Sequence, residues 1–565
     1  MKFLSQYRSA LCAAVVFVLA FDLAYLWQRT ESAYDSEFGG HPDEAAHYVT
    51  GLMMRDYIAA HFPGSPMKYA ETYYEHYPKI GLGIWPPVFY LVQSVWTLPF
   101  GVSRTSLMLL MCALAATLAT QLYRTLEREF GLWLAALGAL ALISLPLTRM
   151  FYGMVMAETL SAVLMFGATL TLGKFLDEKR SRDAWLFGLL SGLAIMTKGT
   201  GMALALMTLL AIAISRQWSI LRAPALWVGA AITAVLAGPW TWKFKDQGKG
   251  GWEQPTPSLH WSLDASRFFT VKFALALGWL VLALMITGLV VVFCRRYAQS
   301  RGGAVALDGS PAPASAAVTG KWAAMAGLIV AVPVFQSIIP AGKEERHLIS
   351  ALPAAMAFAM AGLAFFLEKI REARSKSPVG ASSTTVVAPT LYLGFATIVV
   401  FLSFIFPIRS QRASGFGELA ARAVKDLKPA QLTLVSSDAC GEGMFIAEVA
   451  LRDPHRPSFT VKRASKEFAS SEWSGRDYHP KFTTDAELAE YLAKKFRFVV
   501  ADETMPERLH KPHHELLHQA MTASPTEFWS IADATIWRDG REGATPAKLC
   551  QISATPENQS GNNPK

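Results

Sequence analysis

The chain has 565 residues, 52% of them hydrophobic and only 17% charged, with a formal net charge of +9. That balance excludes a purely water-soluble globular protein and describes an integral membrane protein with polar parts. The basic excess falls mostly in short loops between apolar runs, where the preference for cationic loops on the cytoplasmic side accounts for it, so it is not a nucleic-acid signal.

The first apolar run, Ala10 to Trp27, is interrupted only by Asp22 and is long enough to cross a hydrocarbon core of roughly 30 Å. Lys2 and Arg8 precede it and place its start in the cytoplasm. Leu26-Trp27-Gln28-Arg29 lacks the small residues of a cleavage site, so the run reads as a retained span. Just beyond it stands Gly40-His41-Pro42-Asp43-Glu44-Ala45-Ala46-His47-Tyr48. Two adjacent carboxylates at a membrane surface point to acid/base chemistry or cation binding. The competing reading is that Asp43 and Glu44 cap a helix beginning near Ala45, where acidic side chains suit the positive end.

Further spans are expected at 104–123, 131–149, 154–173, 184–197, 200–215, 223–241, 269–293, 322–340, 348–367 and 388–407, about eleven in all. All helices in lipid must satisfy their own backbone groups, so this part is all-α. The loops carrying Arg124 and Arg128, Lys174 to Arg182, Arg216 and Arg222, Arg295 to Arg301, and Lys369 to Lys376 then share the cytoplasmic side. This requires 84–101, with Pro86, Pro87 and Pro99, to lie in the interface or re-enter, without crossing. On the outer face the loop 28–83, Arg149 to Glu158, Thr197-Lys198-Gly199-Thr200, Lys243 to Arg267 and Gly342 to His347 converge. The segment 309–320 reads as a flexible inner loop.

From 408 the composition turns polar. Leu432 to Val435 and Phe496 to Ala501 read as buried strands and Asp485 to Lys495 as an amphipathic helix, so a soluble α/β domain is expected over 408–565, with a polar tail from 553. With eleven spans it lies outside. The membrane domain is then 1–407, including an outer loop with interfacial helices at 28–103. Cys440 and Cys550 share the outer domain, where an oxidising compartment permits a disulfide. His510, His513, His514 and His518 read as a solvated basic surface, with metal binding as the competing reading.

Taken together, Asp43-Glu44 after the first span, the stretch His76-Tyr77-Pro78-Lys79 through Trp85-Pro86-Pro87-Val88-Phe89-Tyr90, Glu158 at the outer end of a later helix, Thr197-Lys198-Gly199 and Glu345-Arg346-His347 resemble the GT-C superfamily of polyprenyl-phosphate-sugar-dependent glycosyltransferases. The resemblance is to the branch of protein O-mannosyltransferases and lipid A aminoarabinose transferases. It covers about residues 10 to 370. The family's Lys-Pro-Pro is here Trp85-Pro86-Pro87, and Tyr48 stands one residue later than the family tyrosine.

The resemblance implies a membrane glycosyltransferase that moves a sugar from a polyprenyl-phosphate donor to a glycan, lipid or protein acceptor on the periplasmic face of a bacterial inner membrane. It implies Asp43 as general base, Glu44 positioning the acceptor or tuning its neighbour, and Glu158 as a further acidic site residue. Lys79, Lys198 and Arg346 are then the cations for the lipid phosphate, with Tyr48, His76, Trp85, Tyr90 and His347 in the substrate site. Interfacial snorkelling is the competing reading for the cations, belt packing for the aromatic residues, and pairing with Arg149 for Glu158. No cofactor or catalytic metal and no nucleic-acid partner are expected. The alternative function is a secondary transporter or lipid flippase.

Overall fold

The computed structural model describes residues 2–81, 83–249, 252–254, 256–301, 318–375, 398–428, 431–470 and 477–553. In chain order the first helices are α1 (Lys2–Thr30), α2 (Glu44–Ala59), α3 (Pro66–His76), α4 (Val88–Phe100), α5 (Arg104–Ser144), α6 (Pro146–Tyr152) and α7 (Glu158–Glu178). They are followed by α8 (Ser181–Ile195), α9 (Ala203–Ser215), α10 (Pro224–Lys243), α11 (Lys245–Gly248), α12 (Leu259–Arg301), α13 (Gly320–Ile338) and α14 (Leu352–Ser375).

Among the described residues, seven helices are long and apolar enough to cross a membrane, against the eleven expected. The difference has physical causes. The spans expected at 104–123 and 131–149 fall largely in one element, α5, whose 41 residues bend at Gly131 (φ 78°, ψ 172°). A straight helix of that length would reach about 60 Å, twice the hydrocarbon core. With 15 and 13 residues, α8 and α9 are helical where spans were expected but fall short of a full crossing. Of the last expected span, 388–397 lies outside the described residues and 398–405 is helical. A second break, at Gly278 (φ 71°, ψ 154°) in α12, falls inside the expected span 269–293. Most of the loop 309–320, and the tail beyond 553, also lie outside the described residues.

The segment expected in the interface forms α4. Thirteen residues rise about 20 Å, too little to cross. Phe89, Tyr90, Gln93, Ser94 and Thr97 are buried, whereas Leu91, Val95, Leu98 and Phe100 are exposed along the other side. That is the pattern of a helix lying flat with one apolar face turned outward.

The chain divides into two compact units: Met1–Trp27 with Cys112–Tyr152 and Ala157–Ile408, and Gln28–Met111 with Gly153–Met156 and Arg409–Lys565. In the first, α7 packs on α8 and α13, α13 on α9, α8 on α10, and α12 on α13 and α14. Gly188 of α8 faces Gly229 of α10, and a Cβ added at Gly188 would lie 2.1 Å from the Gly229 carbonyl oxygen. Small residues at such crossings let backbones approach, which stands in for the hydrophobic drive that lipid removes.

The second unit joins the loop after α1 to the C-terminal region, which is the expected α/β fold. Its sheet runs, in spatial order, Thr460–Arg463, Leu432–Ser436, Phe498–Ala501, Ala547–Ile552 and Phe528–Ala534. The first three strands are parallel and the last two antiparallel. Both strands read from the sequence are internal to the sheet and largely buried, as their predominantly apolar residues require. The helix Asp485–Lys495 forms where expected and is capped by Thr484, whose side chain accepts from Glu487 N. Leu488, Leu492, Phe496, Val499, Leu517 and Phe528 close the core.

Polar ties hold the unit together. Arg456 Nε donates to Asp56 Oδ2 at 2.8 Å, Tyr77 donates to Asp453, and Glu37 Oε2 accepts from Gly415 N and Gly417 N, both at 2.9 Å. Of the histidine cluster, His510 and His518 are exposed as expected, but His513 and His514 turn inward. His513 is 2% exposed with Nδ1 2.9 Å from the Tyr478 hydroxyl, and His514 Nδ1 accepts from Lys511 N, because these residues open the helix Pro512–Ala523 against the core. Cys440 and Cys550 are both free thiols.

Candidate functional site

The sequence-predicted residues gather in two clusters, one in each unit. In the second unit, Asp43 occupies the N-cap position of α2, yet its side chain makes no capping hydrogen bond. The carboxylate lies 3.7 Å from His41 Nδ1 and is 13% exposed. Beside it, Lys79 Nζ donates to the Pro42 carbonyl at 3.1 Å. Burial first, then the Arg463 guanidinium, push the Lys79 ammonium down to about 8, against the opposing pull of Glu442, Cys440 and Asp43.

Glu44 has a different environment. It is fully buried, with Oε2 accepting from Gly40 N at 2.9 Å and Oε1 accepting from both Arg104 Nη1 and Val155 N at 3.0 Å. Two adjacent residues in sequence therefore point to opposite fates: Glu44 bolts the start of α2 to three donors, while Asp43 keeps an accessible carboxylate. Arg104 is the partner that the sequence reading missed. Its signal was a lone arginine at the outer start of a span, where the charge rule disfavours it.

The predicted aromatic and histidine residues of this region lie in the same unit. His47 Nδ1 is 2.8 Å from the Tyr90 hydroxyl, and the Trp85 ring lies 4.5 Å from the His47 ring. Tyr90 is buried and Trp85 half-buried. Tyr48 is buried, stacked on Phe38 with ring centroids 3.8 Å apart, and donates to the Val102 carbonyl at 3.1 Å. His76 faces the C-terminal region, with Nδ1 3.1 Å from the Phe459 carbonyl oxygen and 2.9 Å from the Thr460 hydroxyl.

In the first unit, Glu158 is the first residue of α7 and only 2% of its side chain is exposed. Its Oε1 is paired with Lys198 and lies 3.5 Å from Arg346 Nε. Arg346 also pairs with Glu344. Arg149, the competing partner for Glu158, donates from Nη1 to the Ile405 carbonyl at 2.6 Å and from Nη2 to that of Pro407 at 3.2 Å. His347 joins Glu158, Lys198 and Arg346 in lining a cavity of about 10 Å³, with Ser161, Thr200 and Ser350. That volume holds about one water. Among the described residues, no group of three or more His, Cys, Asp or Glu side chains is arranged to hold a metal ion.

Such a set of groups can take a proton at Asp43 and neutralise an anion at Lys79, Lys198 or Arg346. Residues 85–242 match the family described as Dolichyl-phosphate-mannose-protein mannosyltransferase. No curated protein sequence matches the chain. Among solved structures, ArnT from Cupriavidus metallidurans in the apo state is similar with a TM-score of 0.56 at 14% identity, covering 96% of this chain and 100% of that one. The same protein bound to undecaprenyl phosphate gives 0.53 at 14% identity, with 96% and 99% covered. An Archaeoglobus fulgidus oligosaccharyltransferase, in complex with zinc and sulfate, gives 0.51 at 13% identity, with 94% and 72% covered. At these identities the likeness is one of fold. With a mannosyltransferase-family segment at 85–242 and a fold shared over nearly its whole length, the chain has the GT-C architecture and resembles the protein mannosyltransferase and lipid A aminoarabinose transferase branch of that superfamily.

Proposed function

We propose that this protein is a membrane glycosyltransferase that moves a sugar from a polyprenyl-phosphate donor to an acceptor on the periplasmic face of a bacterial inner membrane. The observation that carries this reading is the partly exposed carboxylate of Asp43 at the start of α2, in the same unit as Lys79, whose ammonium donates to the adjoining Pro42 carbonyl. The undecaprenyl phosphate bound by the ArnT neighbour supports the donor class.

In this reaction the acceptor hydroxyl gives its proton to Asp43 as its oxygen bonds to the anomeric carbon. The bond from that carbon to the phosphate oxygen breaks, and the lipid phosphate leaves with the electron pair. Lys79 beside Asp43 in the second unit, or Lys198 and Arg346 in the first, are the cations assigned to the phosphate, whose charge grows as the sugar departs. Glu158 draws Lys198 and Arg346 toward one carboxylate oxygen, which fixes where their charges converge. Trp85, half-buried, offers a ring face suited to a sugar, with the buried His47 and Tyr90 packed near it.

The test is transfer from radiolabelled polyprenyl-phosphate sugars to a membrane acceptor pool, comparing wild type with Asp43→Asn at matched thermal stability. Loss of roughly 10² to 10⁴ in rate is expected, the usual contribution of a general base. Full activity in Asp43→Asn removes the base, and saturable lipid transport without transfer by the wild type favours a flippase.

A further inference from the structure

A second cavity, of about 1010 Å³, lies in the first unit among α1, α5, α7 and α13. It is lined by Lys174 and Glu178 near the C-terminal end of α7, whereas Glu158 begins that helix. Twenty residues of helix separate their ends by about 30 Å, one hydrocarbon thickness. The cavity is therefore not part of the Glu158 cluster.

Its charges are unequal in what they do. Every acidic residue in the lining has a partner: Glu127 accepts from Ser9, Glu129 from Lys321 and Trp322, Asp177 from the amides of Gly320 and Lys321 at 2.6 and 3.2 Å, and Glu178 pairs with Arg180. Lys321 is thereby spent as well. Arg8, Arg124, Arg128 and Lys174 also line the cavity, are exposed, and make no ion pair or side-chain hydrogen bond among the described residues. Leu132 and Leu170 supply apolar wall beside them.

We infer that this cavity binds the head group of an anionic phospholipid, with Arg8, Arg124, Arg128 and Lys174 on its phosphate and Leu132 and Leu170 against the first methylenes of its chains. Four cations outside any ion pair outnumber the two lining carboxylates held only by neutral donors, Glu127 and Asp177, and this positive excess selects a phosphate, whose paired oxygens guanidinium forks suit. The apolar wall, and the position between helices of spanning length, select a lipid over a free anion, as basic pockets between transmembrane helices do. Snorkelling alone would spread these side chains outward along separate helices, whereas three helices here turn four cations into one cavity.

The full-length protein would be purified and exchanged into nanodiscs of phosphatidylglycerol or phosphatidylcholine, with retained lipid counted by native mass spectrometry and thermal stability measured in parallel. The wild type is expected to retain phosphatidylglycerol selectively and to unfold at a higher temperature with it. In Arg124→Gln/Arg128→Gln/Lys174→Gln retention should be roughly a hundredfold weaker. Arg182→Gln/Arg222→Gln, which removes two basic residues away from the cavity, should behave as wild type. Should the triple variant fold poorly, Lys174→Gln alone serves, with a smaller loss expected. Equal retention of both lipids, an unchanged lipid preference in the variants, or equal stabilisation by inorganic phosphate would each overturn the proposal.

Discussion

At the scale of single residues, the Asp43-Glu44 pair separates into a partly exposed carboxylate, the proposed base, and a buried structural one. Glu44 and Arg104 form an ion pair with side-chain exposures of 0% and 10%. Breaking such a pair leaves an uncompensated buried charge, so Glu44→Gln is expected to cost about 3 kcal/mol of stability. Activity and thermal stability should fall together in that variant, whereas Asp43→Asn should lose activity alone. Lys79 sets a pH dependence. Its ordinary value of 10.5 is lowered to about 8, so its charged fraction falls as pH rises through about 8. If the proposed function holds, binding of a polyprenyl phosphate, measured by titration from pH 6 to 9.5, should weaken over that range. Lys79→Arg, which keeps its charge throughout, should flatten the curve. The adjacency of the two carboxylates was legible in the sequence, but their division of labour was not, because it depends on Arg104 and Val155, distant in sequence.

At the scale of elements, hydropathy located the helices and glycine decided their joints. Gly131 and Gly278 both adopt positive φ; Gly131 follows the charged stretch Arg124 to Glu129 at the edge of an expected span, whereas Gly278 lies inside an apolar run. A break in the middle of a hydrophobic run has no hydropathy signature, since the residues on each side are equally apolar. The helices α8 and α10 meet through Gly188 and Gly229, with Thr233 donating to the Gly188 carbonyl at 2.9 Å. Gly188-Leu189-Leu190-Ser191-Gly192 carries the small-residue spacing of such a crossing. Gly188→Leu should push the two helices apart at a cost of about 1–3 kcal/mol, read as a lower unfolding temperature in detergent.

At the scale of the molecule, the loop following α1 belongs with the C-terminal α/β region in one compact unit. Glu37 is one of the ties, reaching the first turn of the helix Phe416–Asp426. Burial, reinforced by Glu448, raises its carboxyl from 4.5 to about 7. The folded unit thus keeps a proton that the unfolded chain releases. Stability from this group is present below about 4.5 and is lost as pH rises toward about 7. Glu37→Gln keeps an acceptor for both amides and removes the titration. Thermal unfolding at pH 5 and pH 8 should differ less in that variant than in wild type, and an unchanged difference would exclude Glu37 as its source.

By itself the sequence determined that the chain is a multi-helix membrane protein with a C-terminal α/β region, because bilayer thickness and alternating or continuous apolar runs impose lengths and periods that are readable locally. It also carried the order of residues that resembles the GT-C superfamily. Only the tertiary structure decided that Glu44 is a buried anchor, that Lys198 and Arg346 share Glu158, that His513 is enclosed, and that the loop after α1 folds with residues from 409 onward. Each of those outcomes rests on partners tens to hundreds of residues away, and a charge or hydrogen bond acquires its role from the group it meets, which no local pattern records.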